Sequence, residues 1–277
     1  MNLESNHYGK RVVRLLRVTR EEIIHHVAEW EADALLEGDL DGSYLSDDNS
    51  SVVPTDTVKN TILALAHDLE DATRDEFALA VGRHFVKKYD HLTACDVEVR
   101  EKQWTRMNIE GLPHQHSFTR NANGQPFSKV RVERGGAETL KSGIRGFVVL
   151  KTTQSGFAGF PRCDLTTLPE THDRILSTSF DAEWDYVGET KSLGVEVINH
   201  MLKVFAETYS PSVQRTLFLM GEAALEAFPV LKSIKLTMPN KHYLNIDLAK
   251  VGRPEGQKKV FLPTDDPFGY IEAVISR

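Results

Sequence analysis

The sequence predicts an α+β fold made of two similar halves, each an antiparallel sheet with helices on one face. The main observation is the order of elements, because each half contains two strands, two helices and then further strands. The tripeptide AEW also occurs at 28–30 and again at 182–184, within alternating segments both times. Two glycines at 135–136 mark a boundary. We therefore predict a first unit over residues 1–135 and a second over 136–277.

The first half opens with two predicted strands. Residues 9–18 are rich in β-branched residues and leucine, as strands are. In residues 25–36, alanines and Trp30 alternate with acidic residues, which is the period of two of a half-buried strand. Residues 37–51 are polar and contain glycine and asparagine, so they predict a loop.

Two helices are predicted after this loop. Thr55 or Asp56 is suited to cap the first helix, which carries apolar residues at helical spacing. Residues 77–85 carry the apolar face of the second helix. Strands follow at about 94–105, 116–122 and 127–134, and Asn121–Gly124 predicts a hairpin turn between the last two.

The second half repeats this order. Residues 146–153 predict a buried strand, and the aromatic and acidic residues of 180–186 alternate as in a half-buried strand. Helices are predicted over 195–209 and 212–228, where apolar residues recur at helical spacing. The closing strands are predicted at about 231–238, 242–249, 259–263 and 269–275.

Composition limits the class of function and the compartment. The 277 residues are 40% hydrophobic, as in ordinary globular proteins, and the net charge of −7 argues against a general nucleic-acid binder. Cys95 and Cys163 are too few for a disulfide framework, which favours a reducing compartment. We see neither an apolar signal-peptide segment, nor an apolar run of about 18 residues, nor a peroxisomal SKL tail. We therefore expect a cytoplasmic protein that does not act on membranes.

No sequence motif for a metal or cofactor stands out. There is no GxGxxG after a strand, no Walker loop and no HExxH. His114 and His116 are a candidate pair, since residues two apart on a strand point the same way and can share a metal. The sequence offers no obvious third ligand, so a hydrogen-bonded or surface pair is the favoured interpretation.

Residues 157–174, FAGFPRCDLTTLPETHDR, are the stretch most informative about function. The stretch begins with an aromatic residue and ends with Arg174, which enters a helical pattern. A flat, anionic, nitrogen-rich heterocycle can stack on an aromatic face and accept two hydrogen bonds from a guanidinium group. By residue type alone, Lys10, His242 and Gln214 each have a structural interpretation as well: a surface lysine, a hydrogen-bonded turn histidine and a solvent-facing polar residue.

Three further motifs accompany that stretch: PTDTVKNT at 54–61, SVQ at 212–214 and PNKHY at 239–243. Together the four segments resemble the urate oxidase (uricase) family, and the resemblance covers nearly the whole chain. It implies the tunnelling fold, or T-fold, with two units per chain and a homotetramer that closes into a barrel around a central tunnel. It also implies active sites between subunits.

The resemblance assigns a role to each matching residue. Lys10, Thr55 and His242 match a proton relay. Arg174 and Gln214 match the pair that grips the edge of the substrate, and Phe157 matches the aromatic that stacks on it. The remaining assignments are backbone contacts at Asp56 and Val213, a pocket wall at Leu168, and Asn240, which with Thr55 holds water or O2. Leu165 departs from the pattern, because an aromatic residue is expected there.

The implied reaction is oxidation of urate by O2 and water to 5-hydroxyisourate and hydrogen peroxide, as a step of purine degradation. No cofactor is implied, because a doubly deprotonated urate donates an electron to O2 directly. Lys10 should have a lowered pKa to act as a base. Two alternatives remain open: a zinc enzyme of the same fold acting on pterins or purines, with His114 and His116 as ligands, and a non-catalytic oligomeric binding protein.

Overall fold

A computed structural model of the protein describes residues 3–188, 193–253 and 259–277. The chain packs as two compact units. Of the described residues, those up to Ile144 and Gly188 belong to the first unit, and those of Arg145–Val187 and Leu193–Arg277 belong to the second. The change of unit occurs within a strand that follows the turn at Gly135–Gly136, so the start of a second repeat at residue 136 stays a prediction.

Among its described residues, the first unit contains six complete strands, a two-stranded hairpin among them, and three helices. In chain order these are β1 (Tyr8–Arg20), β2 (His25–Gly38), α1 (Asp41–Leu45), α2 (Thr55–Asp68), α3 (Arg74–Lys88), β3 (Leu92–Lys102), β4 (Trp104–Ile109), β5 (Leu112–Arg120) and β6 (Gln125–Glu133). Strands β1, β2, β3 and β6 are neighbours in that order, and each pair is antiparallel.

Helices α2 and α3 cover one face of this sheet. Trp30, Ala32 and Ala34 of β2 are buried beneath them, as the alternation of the sequence predicts. The ring of Trp30 lies 5.0 Å from the ring of Phe77 on α3, centroid to centroid. Burying aromatic side chains of this size contributes much of the free energy of folding of such a unit.

Two local predictions for the first unit are wrong. Residues 37–51 do not form a continuous loop, since β2 extends to Gly38 and α1 follows. The hairpin at Asn121–Gly124 is also absent, because β5 pairs with β4 and β6 pairs with β3. Glu110 and Gly111 close the observed hairpin with positive φ angles of 53° and 86°. Such a turn usually carries asparagine or glycine at both positions, so the glutamate at 110 gave no sign of a hairpin turn in the sequence.

The second unit contains a similar set of elements. Strand β7 (Glu138–Lys151) begins in the first unit and ends in the second. The other elements are β8 (Leu176–Tyr186), α4 (Gly194–Glu207), α5 (Val213–Ala227), β9 (Leu231–Thr237), β10 (Asn240–Asn245), a 3₁₀ turn (Ala249–Val251), β11 (Phe261–Gly269) and β12 (Glu272–Ser276). Strand β8 pairs with β9 and with β10, which in turn pair with β12 and β11.

The core of the second unit follows the predicted alternation in β8. Phe180, Ala182 and Trp184 are buried. The prediction of a buried strand at 146–153 is wrong, because Val148 and Leu150 are 46% and 43% exposed. A strand presents alternate side chains to opposite faces, and only the face of Phe147, whose ring lies 5.3 Å from that of Phe180, packs on the core.

Among the described residues, none of the helices is long and apolar enough to cross a membrane.

Candidate active site

The loop that follows β7 is closed by a pair of backbone hydrogen bonds. The N–H of Phe157 donates to the carbonyl oxygen of Thr171 at 2.7 Å, and the N–H of Thr171 donates back at 3.0 Å. These bonds fix Phe157 at the neck of the loop, whatever the conformation of its tip. Leu165 lies at the tip and is 88% exposed, so the departure from the family pattern there is remote from the neck.

Arg174 lies beside this neck and over the Phe157 ring, with the guanidinium carbon 5.6 Å from the ring centroid. Its main-chain N–H donates to the carbonyl oxygen of Ser155 at 2.8 Å. The Nε atom is buried without a hydrogen-bond partner among the described residues, and burial lowers the pKa of the guanidinium. A buried, unpaired donor on a cation costs free energy, which an anionic ligand would recover. The predicted helical setting of Arg174 is wrong, since β8 begins two residues later.

The start of helix α5 carries two of the candidate residues. Ser212 caps the helix, and its Oγ accepts a hydrogen bond from the N–H of Arg215 at 3.2 Å. Val213 is buried and Gln214 is exposed. The first-turn N–H groups of a helix have no intrahelical acceptor and favour a negative partner. The Gln214 side chain is thus free to reach a ligand while Val213 anchors the turn.

Asn240 and His242 lie two residues apart at the start of β10, and the pairing of β10 with β11 shifts register between them. Asn240 pairs with Thr178 of β8 and with Gly269 of β11. A cavity of about 630 Å³ in the second unit is lined by Arg174, Asn240 and His242, among other residues. The structure therefore brings these three predicted residues together.

Leu168 is 52% exposed on the loop whose neck is Phe157. It does not line the cavity that Arg174 shares with Asn240 and His242. Its assignment as a pocket wall stays a prediction.

Thr55 and Asp56 occupy the first turn of α2 rather than its cap. Pro54 is the N-cap residue and no side chain caps the helix, so the prediction of a Thr55 or Asp56 cap is wrong. The Asp56 carboxylate instead accepts hydrogen bonds from Lys59 and Asn60 within the helix. The absence of a side-chain cap leaves the first-turn N–H groups of α2 available to a ligand.

Lys10 is close to this helix start. The hydrogen bond from Lys59 lowers the pKa of Asp56, and the positive charge of Lys10 lowers it further. Lys10 pairs with Ala34, whose side chain is fully buried on the helix-covered face of the sheet. The first unit thus brings Lys10, Thr55 and Asp56 together, and the second unit brings together Phe157, Arg174, Asn240 and His242.

Sequence reasoning missed two residues that support Arg174. Ser155 is fully buried and its carbonyl oxygen accepts the N–H of Arg174, while its Oγ has no hydrogen-bond partner in the part of the chain that the structure describes. The Tyr209 hydroxyl donates a hydrogen bond to the carbonyl oxygen of His172 at 3.1 Å. Burial lowers the pKa of Arg174, and the nearby Tyr209 opposes part of that effect. Gly156 lies between them, and a Cβ there would collide with the Tyr209 hydroxyl. The only sequence signal was the QSG that precedes Phe157.

The candidate metal pair does come together in the first unit. The rings of His114 and His116 are 4.7 Å apart, centroid to centroid. Among the residues that the structure describes, the group of three close metal-ligating side chains consists of His7, Glu37 and Asp96, which includes neither histidine of the pair. Arg131 already binds both of those carboxylates. The geometry thus supplies the histidine pair with no third protein ligand of this kind.

Comparison with known proteins identifies a family over nearly the whole chain. A family model described as Uricase matches residues 6–131 and 140–272. The uricase of Arabidopsis thaliana is 42% identical over 299 residues, which cover 100% of this chain and 96% of the relative. The uricase of Arthrobacter globiformis is 38% identical, and the match covers 99% of this chain and 90% of the relative.

Solved structures agree with the sequence relatives. The crystal structure of the Arthrobacter globiformis uricase has a TM-score of 0.91 and 38% identity, and it covers 100% of this chain and 95% of that one. The Bacillus sp. TB-90 urate oxidase, at 23% identity and a TM-score of 0.87, shares the fold. These likenesses confirm the predicted α+β T-fold class. Family model, relatives and fold together establish that the chain belongs to the uricase family.

Proposed function

We propose that this protein is a urate oxidase that converts urate, O2 and water to 5-hydroxyisourate and hydrogen peroxide, in purine degradation and without a cofactor. The observation that carries the proposal is the buried, unpartnered Nε of Arg174 beside the ring of Phe157. A cation with a buried, unpaired donor beside an aromatic ring suits a flat anion. The full-length likeness to proteins named uricase supports the same substrate.

In this proposal the second unit grips the urate ring. Arg174 and Gln214 donate hydrogen bonds to its edge and stabilise its negative charge, because charge-assisted bonds are the stronger class. Phe157 stacks on its face. Val213 contributes the N–H group of the first turn of α5, and Leu168 closes one side of the pocket.

The first unit supplies the base. Lys10 takes the second proton of urate through the Thr55 hydroxyl, and His242 completes the relay. The urate dianion then gives one electron to O2, and the resulting radicals combine and release peroxide. Asn240 and Thr55 hold O2 and afterwards the water that attacks C5 of the oxidised ring. Asp56 contributes a backbone group of the α2 first turn to the substrate.

The proposed assembly is a cytoplasmic homotetramer with a central tunnel and sites between subunits. Thr55 and Asp56 would come from one subunit, and Phe157, Arg174 and Gln214 from its neighbour. Exposed apolar side chains on the strands of the second unit support burial against other copies, since such patches mark interaction surfaces. They include Val148, Leu150, Leu244, Leu262 and Val274.

A mixed tetramer tests the shared site. Thr55→Ala and Arg174→Ala chains are each expected to be inactive alone. When the two are refolded together, some sites would receive an intact Thr55 from one chain and an intact Arg174 from the other, so activity should return. Mixed assembly without any recovery would instead support sites built from a single chain.

The reaction itself is tested by loss of the ultraviolet absorbance of urate, with oxygen uptake measured in parallel. After metal chelation, the protein should consume urate in air and not under nitrogen. A Lys10→Met variant should lose at least about a hundredfold in kcat, the usual contribution of a general base, while urate binding changes little. Lys87→Met, on the exposed last turn of α3, is the matched control. Equal losses in kcat and binding would contradict the assignment of Lys10 as base.

A further inference from the structure

The strand that carries Lys10 contains one extra residue. Lys10 pairs with Ala34 and Val13 pairs with Ala32, so Arg11 and Val12 together stand opposite the single residue Asp33. This is a β-bulge, and bulges redirect side chains because they shift the alternation of a strand by one.

The shift decides which face of the sheet Lys10 occupies. Val13 is buried on the helix-covered face, and Arg17 reaches the carbonyl oxygens of Leu69 and Ala72 on the same side. In a regular strand the odd-numbered residues would share that face and Lys10 would point to the other. The bulge places Lys10 on the helix-covered face, where Asp56 and Thr55 lie.

Asp33 holds the bulge in place. Its Oδ1 accepts the main-chain N–H of Val12 at 2.7 Å, and its Oδ2 lies 3.4 Å from Nε of Arg11. The carboxylate is only 6% exposed and is also bound by Arg100, at 2.8 Å and 3.1 Å. Burial raises the pKa of Asp33, but the bonds from Arg100 and Val12 outweigh burial and lower it.

The backbone conformation on either side of Lys10 costs free energy, so it needs stabilising contacts such as those of Asp33. Val12 has a φ of +56°, a region that β-branched residues rarely adopt. On the other side of Lys10, a Cβ at Gly9 would collide with the carbonyl oxygen of Ala34. Strained backbone of this kind persists where surrounding contacts enforce it, and it clusters at functional sites.

We propose that Asp33 is a positioning residue for catalysis. By binding Arg11 and Val12 it stabilises the bulge, and the bulge keeps Lys10 on the face of the sheet where the base must act. The inference rests on the proposed function of Lys10. Asp33 itself does not touch the substrate.

Two substitutions separate this role from a merely structural one. Asp33→Ala removes the acceptor for Val12, and kcat should fall at least about tenfold while KM stays within about threefold. Asp33→Asn keeps an oxygen that can accept the Val12 N–H but loses the charge that binds Arg100. It should therefore retain kcat within about threefold of the native chain, although it unfolds at a lower temperature.

Glu98→Gln is the matched control, because Glu98 also pairs with Arg100, at 3.3 Å, and lies on β3, which does not pair with the bulged strand. Its kcat should be unchanged. If Asp33→Ala does not fold, deletion of Val12 from that variant decides the matter: the deletion removes the extra residue and leaves Lys10 opposite Ala34, so kcat should stay within about threefold of that of the native chain even without Asp33. The inference is overturned if Asp33→Ala keeps native kcat, if the alanine and asparagine variants fall equally, or if the variant that also lacks Val12 is as inactive as Lys10→Met. A native chain that leaves urate untouched would instead refute the proposed function.

Discussion

The guanidinium of Arg174 and the ring of Phe157 are held in fixed relation by the backbone on both sides of the loop that separates them. The main-chain N–H of Phe157 donates a hydrogen bond to the carbonyl oxygen of Thr171 at 2.7 Å, and that of Arg174 donates to the carbonyl oxygen of Ser155 at 2.8 Å. The two side chains lie 5.6 Å apart, measured from guanidinium carbon to ring centroid. The ring and the guanidinium are therefore held in position before any ligand arrives, which lowers the entropic cost of binding.

Replacing Arg174 by glutamine should weaken urate binding. Hydrogen bonds to charged groups contribute about 1.5–3 kcal/mol, which corresponds to a rise in KM of about 10- to 150-fold. Steady-state kinetics measures this effect. Arg162→Gln is the control, since Arg162 lies 5.6 Å over the ring of Phe160 in the same loop. A similar rise in both variants would show that general positive charge, rather than the Arg174 fork, attracts the substrate.

The two helix starts of the first unit should respond differently to loss of a threonine. Thr73 caps α3 with a complete capping box, whereas Thr55 caps nothing. Thr73→Ala should lower the free energy of unfolding by about 1 kcal/mol, and Thr55→Ala by less than about 0.5 kcal/mol. Urea unfolding at matched protein concentration distinguishes them. Equal losses would mean that Thr55 has a stabilising contact beyond a cap.

Stability in acid should depend on Glu31. The hydrogen bond from Lys102, at 2.7 Å between Nζ and Oε1, lowers the pKa of Glu31 in the folded chain. An ionised group with a lowered pKa stabilises above its unfolded pKa of about 4.3, and this contribution is lost as pH falls through the folded pKa. The unfolding free energy of Glu31→Gln should therefore fall less steeply below about pH 4.3 than that of the native chain.

Glu226→Gln serves as the control for that titration, because Glu226 is exposed on α5. Its acid slope should match that of the native chain. If Glu31→Gln also matches, the Lys102 contact adds nothing to acid stability.

The two thiols should differ in reactivity. Cys95 is fully buried, and burial raises its pKa strongly, whereas Cys163 is exposed and a hydrogen bond from Thr166 lowers its pKa. Thiolate is the reactive form. Iodoacetamide should label one thiol per native chain and both after denaturation, as counted by intact mass. Cys163→Ser should abolish labelling of the native form, and residual labelling would mean that Cys95 becomes accessible.

Sequence patterns predicted most of the secondary structure because burial imposes a period. In β2 and β8 only one face meets the core, so Trp30 and Trp184 each fall in a strict alternation. Local chemistry predicted less. Glu110 adopts a positive φ, which glutamate does not signal, and Pro54 takes the cap position that Thr55 was predicted to fill.

The candidate site illustrates the same division. Arg174, Asn240 and His242 line one cavity, although they are far apart in the sequence. Sequence motifs could identify these residues. The face of the sheet on which Lys10 lies could not be predicted, because it depends on a bulge that breaks the alternation of β1, and the residue types there do not indicate a bulge. Ser155 was missed for a related reason, because its contact with Arg174 runs through the main chain.

The paired hydrogen bonds between Phe157 and Thr171 have a practical consequence. They close the segment between these residues at its base, so a longer excursion would cost only the slowly growing entropy of loop closure. The exposed apex around Leu165 is therefore a suitable point at which to graft a peptide tag or an immobilisation handle, with the ring and guanidinium below left in register.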